Sequence, residues 1–288
     1  MAIDPDKLMA LSLPEVRQTY GQRDCILYAL GVGQGIDPLN EGQLKYVDET
    51  KLVAMPTMAN VLGHPGFWMR DMDTGIDWVR IVHGEQSCRL HRPLPVSATV
   101  VGRNRIVDIV DKGTDKGALL YVERTLTDAE SGELLATLLQ TVFCRGDGGF
   151  GGKSEGGRAM TPTPDRAPDR TLDMPTHTQL ALIYRLSGDL NPLHSDPATA
   201  RKAGFERPIL HGLATFGIAG AALTRACCDD EPSRFIAISA RFSAPVFPGD
   251  TISFDIWDTG PGQAAFRARV AERNAVVLSH GSFEYHGE

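Results

Sequence analysis

The chain has 288 residues, enough for two domains of about 140 residues each, and its 42% hydrophobic and 23% charged residues are ordinary for a globular protein. The net charge of −7 argues against nucleic acid or an anionic membrane surface as the partner. No run approaches the roughly 18 apolar residues that a membrane-spanning helix needs, and the first residues lack the positive region of a signal peptide.

Five cysteines predict reduced, mostly buried thiols and not disulfide bridges or metal ligands. Their number is odd, and no pair has the C-x-x-C spacing of a redox or zinc motif. They are Cys25, Cys88, Cys144, Cys227 and Cys228. Reduced thiols, together with a chain that ends without a peroxisomal targeting tripeptide, lead us to expect a cytoplasmic protein.

The first half of the chain is predicted to contain four long strands. Apolar stretches separated by Gly113, Gly117 and Ser131-Gly132 place these strands at 78–90, 97–111, 118–127 and 134–143. A glycine-rich and then proline-rich segment follows at 146–169, and neither helix nor sheet is expected there. We therefore predict a first domain at 1–145, a linker at 146–169 and a second domain at 170–288.

The second half is predicted to run from helices into strands. Asp196-Pro197 favours the start of a short helix that stops at Gly204, and His211-Gly212 precedes a long apolar run at 213–223. Strands are expected at 234–246, 250–258, 263–272 and 275–285, because turn residues at 248–250 and 260–262 separate them. In the second of these strands, Ile252, Phe254 and Ile256 alternate with Ser253, Asp255 and Trp257.

The two halves resemble each other, which indicates duplication of a whole domain. Tyr28-Ala29-Leu30 matches Tyr184-Arg185-Leu186 at an offset of 156 residues. At that offset Gly33 stands opposite Asp189, and Pro38 opposite His194. A helix followed by antiparallel strands, twice over, predicts an α+β protein in which each half wraps a curved sheet around a long helix.

Chemistry-bearing side chains concentrate in one short stretch of the second half. Asp189, Asn191 and His194 fall within six residues, and the neighbouring Gly188 and Pro192 favour a turn. Gly212 follows, at the expected amino end of a helix, where a bare backbone N–H can approach a ligand oxygen. The alternative is that the acid caps a helix and the imidazole lies on the surface.

The whole pattern resembles the signature of the MaoC-like, R-specific enoyl-CoA hydratases. It runs Tyr184-x-Leu186-Ser187-Gly188-Asp189-x-Asn191-Pro192-Leu193-His194 and continues with His211-Gly212-Leu213. The resemblance implies two hot-dog folds in one chain, an acyl-CoA substrate, no metal, no cofactor and a homodimer.

The resemblance also implies roles for individual residues. Asp189 and His194 would hold the reacting water, Asn191 would orient it, and the N–H of Gly212 would bind the thioester oxygen. Tyr184, Ser187 and Leu213 would contact the substrate. In the first half, the apolar stretch 55–69 contains three methionines and a Phe-Trp pair. Met58 and Trp68 are therefore candidates for an acyl-tail tunnel, and the alternative is that they fill the core.

Other functions remain open at this point. They are a hydratase or dehydratase specialised for a branched, dicarboxylic or steroid-derived acyl-CoA, a hot-dog thioesterase, and a non-catalytic acyl-CoA-binding protein. His83 and His91 are expected to be structural, because no metal-ligand spacing surrounds them. His64 lies between Gly63 and Pro65-Gly66, so it is expected in a loop with a structural role.

Overall fold

The computed structural model of the chain describes residues 3–157 and 159–287. Within these ranges the chain forms ten β-strands, which are β1 (Val16–Tyr20), β2 (Ile81–Leu90), β3 (Ala98–Asp111), β4 (Ala118–Asp128), β5 (Leu134–Cys144), β6 (Arg170–Pro175), β7 (Phe235–Phe242), β8 (Thr251–Gly260), β9 (Gln263–Val270) and β10 (Ala275–Tyr285). The α-helices are α1 (Pro5–Met9), α2 (Gln22–Gly31), α3 (Glu41–Leu44), α4 (Trp68–Asp71), α5 (Leu180–Tyr184), α6 (Pro197–Lys202) and α7 (Gly212–Cys228). Short 3₁₀ helices occur at Pro56–Val61, Trp78–Arg80, Arg185–Ser187, Pro192–His194, Pro232–Arg234 and Ala271–Arg273.

The strands form one antiparallel sheet with the order β1-β3-β4-β5-β2-β7-β10-β9-β8-β6. The second half repeats the order of the first in reverse, so the two half-sheets are related by a pseudo-two-fold axis at the β2–β7 junction. At that junction Gln86 lies opposite Ala240 and Ser87 opposite Ser239. The α+β class and the two half-sheets confirm the predicted pair of hot-dog units.

Helix α7 is the core of the second half. It has 17 residues, and most of its side chains are buried. It contacts β6, β7 and β10; since β6 and β7 are the two ends of the second half-sheet, that half-sheet curves around the helix. Its glycines allow close approach to the first half. A Cβ at Gly217 would lie 2.5 Å from the side chain of Val32, and one at Gly220 would lie 2.4 Å from that of Thr57.

The first half departs from the expectation of a long helix in each half. Its longest described helix, α2, has ten residues and packs against α5, its counterpart in the repeat. The 3₁₀ helix Pro56–Val61 instead lies between β2, β5 and α7. Proline opens this segment, and Gly63, with a φ of +59°, follows it closely, so it stays short.

The eight long strands lie close to their predicted positions, but β1 and β6 were not predicted. Each is an outer strand of the sheet and pairs with one neighbour, β1 with β3 and β6 with β8. The predicted strand at 78–90 begins at Ile81, because Trp78–Arg80 forms a 3₁₀ turn.

The described residues of segment 146–169 contain neither helix nor strand, and side chains of β3 hold the segment in place. The carboxylate of Asp111 accepts hydrogen bonds from the N–H groups of Gly149, Gly113 and Gly151, at 2.7–2.8 Å. These bonds lower the pKa of Asp111, and the bond from Gly149 has the largest effect. The segment is therefore anchored on the first half, while the domain limits given above stay a prediction.

All five cysteines are free and buried, as expected. Among the described residues, no helix combines the length and apolar character needed to cross a membrane.

Candidate active site

A turn at the end of α5 sets the positions of Asp189 and His194. The 3₁₀ helix Arg185–Ser187 ends at Gly188, whose φ of +119° favours glycine. Asn191 begins the next 3₁₀ helix, Pro192–His194, and its side-chain oxygen accepts the N–H of Leu193 at 3.0 Å. The predicted turn is therefore present, and the oxygen of Asn191 is used to form it.

His194 is buried and held in one tautomer. Its Nδ1 lies 2.9 Å from the carbonyl oxygen of Ile209. A carbonyl oxygen can only accept, so Nδ1 carries the proton and the neutral ring has a bare Nε2. Burial lowers the pKa of His194, which keeps the ring neutral at pH 7. The buried His194 therefore presents a free nitrogen base, unlike the surface imidazole of the alternative interpretation.

Asp189 lies exposed beside this imidazole. One carboxylate oxygen accepts the N–H of Asn191 at 3.1 Å, which orients the side chain. Polar atoms of Asp189, His194 and His211 all lie within 4.8 Å of one another. The structure thus brings the predicted acid and base together and adds a third group, His211.

His211 was not predicted from the sequence to belong to this site. It directly precedes α7, and its ring stacks on that of His194, with centroids 3.7 Å apart. Its Nε2 donates to the main-chain oxygen of Asp189 at 3.1 Å. Burial, and then the neighbouring His194, lower the pKa of His211 to about 4. The triplet His211-Gly212-Leu213 was recognised in the sequence, but the contacts of His211 with Asp189 and His194 depend on the fold.

Gly212 is the first residue of α7 and is exposed. The first N–H groups of a helix have no partner within it, and the helix dipole favours negative charge there. A Cβ at Gly212 would lie 3.4 Å from the ring of Phe242, an ordinary contact. The N–H of Gly212 is therefore open to a ligand oxygen. The surrounding side chains leave room for a larger residue than glycine at this position.

Tyr184 lies behind the histidines. It is 1% exposed, and its ring stands between those of Tyr28, 6.0 Å away, and His211, 4.9 Å away. In this position it supports His211 from within the core. A direct contact of Tyr184 with substrate stays a prediction.

The other candidate residues line two separate cavities. Met58 and Ser187 line the first, which has a volume of about 130 Å³ and is bounded by Tyr28 and Leu62; we call it the Met58 cavity. Trp68 and Leu213 line the second, the Arg124 cavity, together with Asn60, His64, Pro65, His83, Gln86, Asn104, Val122, Arg124, Leu138 and Gln140. The structure therefore does not place Met58 and Trp68 in one common tunnel.

His64 and His83, expected to be structural, also lie near the site. Both rings line the Arg124 cavity, and the ring of His83 packs edge-on against Phe242 at 4.7 Å. The expectation of a metal-free reaction stays a prediction, because Asp189, His194 and His211 have the spacing of potential ligands.

The fold and the site define a double hot-dog protein with an Asp–His pair beside a helix amino terminus. Residues 159–279 match the family model described as MaoC like domain, and residues 18–146 match that described as MFE-2 hydratase 2 N-terminal domain. The chain is 43% identical to the Mycobacterium tuberculosis protein named 3-hydroxyacyl-thioester dehydratase Y, over 99% of both chains. It is 38% identical to the Arabidopsis thaliana protein named Enoyl-CoA hydratase 2, peroxisomal, over 95% of this chain and 93% of that one.

Solved structures agree with these matches. The MaoC-like dehydratase from Phytophthora capsici superposes with a TM-score of 0.87 at 35% identity, covering 98% of this chain and 99% of the other. A Mycobacterium tuberculosis protein described as a double hotdog fold shares the fold at 16% identity, with a TM-score of 0.58 over 96% of both chains. The chain therefore belongs to the MaoC-like dehydratase family, and it is an enzyme of the hydro-lyase class.

Proposed function

We propose that the protein catalyses the reversible addition of water to a trans-2-enoyl-CoA, giving the (3R)-3-hydroxyacyl-CoA. The observation that carries this proposal is the tautomer of His194, which leaves Nε2 bare on a ring that has a nitrogen within 4.8 Å of a carboxylate oxygen of Asp189. Relatives named as enoyl-CoA hydratase and 3-hydroxyacyl-thioester dehydratase support the two directions of one reaction. The (3R) configuration rests on the resemblance of the motif to R-specific hydratases.

Water is a poor nucleophile and needs a base within hydrogen-bond reach. His194 Nε2 accepts one proton of the water as its oxygen forms a bond to C3 of the enoyl group. The electrons of the C2=C3 bond move towards the thioester carbonyl, whose oxygen becomes negative. The Asp189–His194 pair then returns one proton to C2, through Asp189, so that both side chains end as they began.

The negative thioester oxygen needs a donor already in position. The N–H of Gly212 provides this donor at the amino terminus of α7, where the helix dipole adds to the stabilisation. His211 holds the main-chain oxygen of Asp189 and stacks on His194, so it positions both partners of the pair. Asn191 binds the water or the product hydroxyl through its amide nitrogen, since its oxygen is occupied.

The enzyme as proposed needs no metal and no cofactor, acts in the cytoplasm and forms a homodimer. One relative is named peroxisomal, so the location of this protein should be tested by fractionation or by imaging of the tagged protein. The oligomeric state is measured by light scattering on the eluting protein, and a monomer at micromolar concentration would contradict the dimer.

The direct test incubates the purified protein with crotonyl-CoA and with a longer enoyl-CoA. We expect loss of the enoyl absorbance and a product of the (3R) configuration. A thiol reagent added in parallel separates hydration from thioester cleavage, because a hot-dog thioesterase would release free CoA. Binding of both compounds without turnover would identify an acyl-CoA-binding protein and overturn the proposal.

A further inference from the structure

The Arg124 cavity lies directly beside the proposed reaction centre. Leu213, which follows the proposed oxygen-binding Gly212, lines this cavity. His83 lines it as well and packs on Phe242, whose ring is 3.4 Å from the Cβ position of Gly212. A substrate whose thioester oxygen binds at Gly212 therefore has the cavity as its neighbour.

Arg124 is a buried cation with no anionic partner in the part of the chain that the structure describes. It lies on β4, is 8% exposed, and has no carboxylate of the described residues within ion-pair distance. Burial lowers its pKa to about 10, so the guanidinium is still charged at neutral pH. Lys and Arg are almost never buried unless they are paired, because removing a charge from water is unfavourable.

Around the cavity, the side-chain oxygens of Asn60 and Gln86 already accept hydrogen bonds, whereas two N–H donors have no acceptor within the described ranges. Arg124 Nη2 donates to the main-chain oxygen of Asn60 at 2.6 Å, and Gln86 Nε2 donates to the side-chain oxygen of Asn60 at 2.9 Å. The oxygen of Gln86 is in turn bonded to His83. Arg124 Nε and Asn104 Nδ2 are buried, and neither has an acceptor among the described residues. Two N–H groups of lining residues therefore lack an acceptor among the described residues, and they lie beside a positive charge.

We propose that the Arg124 cavity binds a carboxylate at the far end of the substrate's acyl group, so that the substrate class is the CoA monothioester of an unsaturated dicarboxylic acid. This inference rests on the proposed hydration and names its substrate. A carboxylate is the simplest group that supplies both the missing charge and the missing acceptors. Support of the Asn60 carbonyl alone would need neither a charge nor an unpaired Nε.

The test compares trans-2-enoyl-CoA substrates in matched pairs of five to ten carbons, ending in a methyl group or in a carboxylate. A third series ends in a hydroxyl group. We expect the wild-type enzyme to favour the carboxylate over the methyl end by about 10-fold or more in kcat/KM at its best length. Equal values for the two ends at every length would overturn the proposal, as would equal values for the hydroxyl and carboxylate ends.

Variants locate the effect. In Arg124→Met we expect the carboxylate-to-methyl ratio of kcat/KM to fall by on the order of 10- to 100-fold, mainly through KM. Arg124→Lys keeps the charge but loses the planar fork, so we expect an intermediate ratio. Arg105→Met is the matched control, because Arg105 is exposed on β3 and paired with Glu123. Its ratio should equal that of the wild type.

The remaining outcomes are also decisive. A KM increase in Arg124→Met that is the same for all three series would assign Arg124 to the CoA portion and overturn the proposal. If Arg124→Met does not fold, as judged by its thermal unfolding, the wild-type ratios and Arg124→Lys still decide. Failure of the wild-type enzyme to hydrate either series would instead reject the proposed function itself.

Discussion

The imidazole rings of His194 and His211 stack with centroids 3.7 Å apart and planes 27° from parallel. Each ring donates one N–H to a main-chain carbonyl, so each holds a fixed tautomer. Two stacked rings cannot both be charged at low cost, because like charges at this distance repel in a buried setting. The pair is therefore built to stay neutral, and this has a consequence for the pH dependence.

We expect the activity to persist to a lower pH than an ordinary histidine base would allow. Burial lowers the pKa of His194 below its usual value of about 6.5, so the neutral base survives as the pH falls through that value. The acid limb of kcat/KM should therefore have its midpoint below pH 6.5. The exposed His91 serves as control, and His91→Gln should leave the profile unchanged. A midpoint at or above 6.5 would contradict the assignment.

The same shift makes the folded state sensitive to acid. The lowered folded pKa means that stability from neutral His194 is present above pH 6.5 and is lost as the pH falls towards the folded pKa.

Substitution of either partner of the pair should reduce turnover strongly. Asp189→Asn and His194→Ala should each lower kcat by on the order of 10²–10⁴, and the double variant should be little worse than either one. Asp189 is exposed, so its variant should keep the wild-type melting temperature. His194→Ala removes a buried hydrogen bond and should be less stable by about 1–3 kcal/mol. Near-normal turnover in either single variant would reject the mechanism, and the exposed His177→Ala is the control.

Two glycines of α7 should separate catalysis from packing. Gly212→Ala leaves ordinary contacts with Phe242, so it should fold normally but lower kcat/KM by about 10-fold or more, since the methyl group narrows the approach to the N–H. Gly217→Ala would overlap with Val32 at 2.5 Å and should destabilise the protein by about 1–3 kcal/mol, with normal turnover per folded molecule. Thermal unfolding and steady-state kinetics on both variants test this contrast.

The second half should not work alone. Without the first half, β7 loses its partner β2, and the α7 surface around Gly217 and Gly220 is uncovered. An unpaired strand and an exposed apolar face favour aggregation or self-pairing. A chain of residues 170–288 should therefore be insoluble or dimeric by light scattering. A monomeric and fully active fragment would show that the β2–β7 junction is dispensable.

Met58 should affect chain-length preference. It lines the Met58 cavity with Ser187, so Met58→Ala should raise kcat/KM for longer methyl-ended chains, which have no carboxylate to bind in the Arg124 cavity, relative to crotonyl-CoA, at up to about 0.8 kcal/mol per added methylene. Met174→Ala, a buried methionine elsewhere in the core, is the control. If Met58→Ala lowers the stability but leaves the dependence of kcat/KM on chain length unchanged, Met58 only fills the core. Trp68 packs in the smaller core cluster, and its substitution should lower stability as well.

The eight long strands were predictable because each is a long stretch rich in apolar residues, and turn-forming residues such as Gly113, Gly117 and Gly262 separate several of them. The outer strands β1 and β6 have five and six residues and include Arg17 and Arg170, so alternation over so short a span gives little signal. The first-half helix was inferred from the repeat. The Tyr28 and Tyr184 segments that reveal the repeat belong to α2 and α5, and they carry no information about the region opposite α7.

For the site, local sequence could place Asp189 and His194 together, because five residues and a turn connect them. Local sequence could not predict that His211 lies beside them. His211 is 17 residues after His194, and its position at the start of α7 is set by the fold. Nor could local sequence reveal that Asn60, Gln86 and Arg124 share one cavity, since they come from a 3₁₀ helix, β2 and β4. These contacts are made by sheet pairing between distant segments, and no single stretch of sequence records them.

The junction of β2 and β7 within one chain also frees the protein from exact symmetry. In a dimer of identical hot-dog chains every substitution enters both copies, and residues near the axis face their own images. Here Tyr28 still faces Tyr184, but Gly33 and Pro38 stand in one copy where the other has Asp189 and His194. A buried cation such as Arg124 can therefore exist once per pair of folds. Joining two folds in one chain thus allows one half to differ in shape and charge while the other keeps Asp189 and His194.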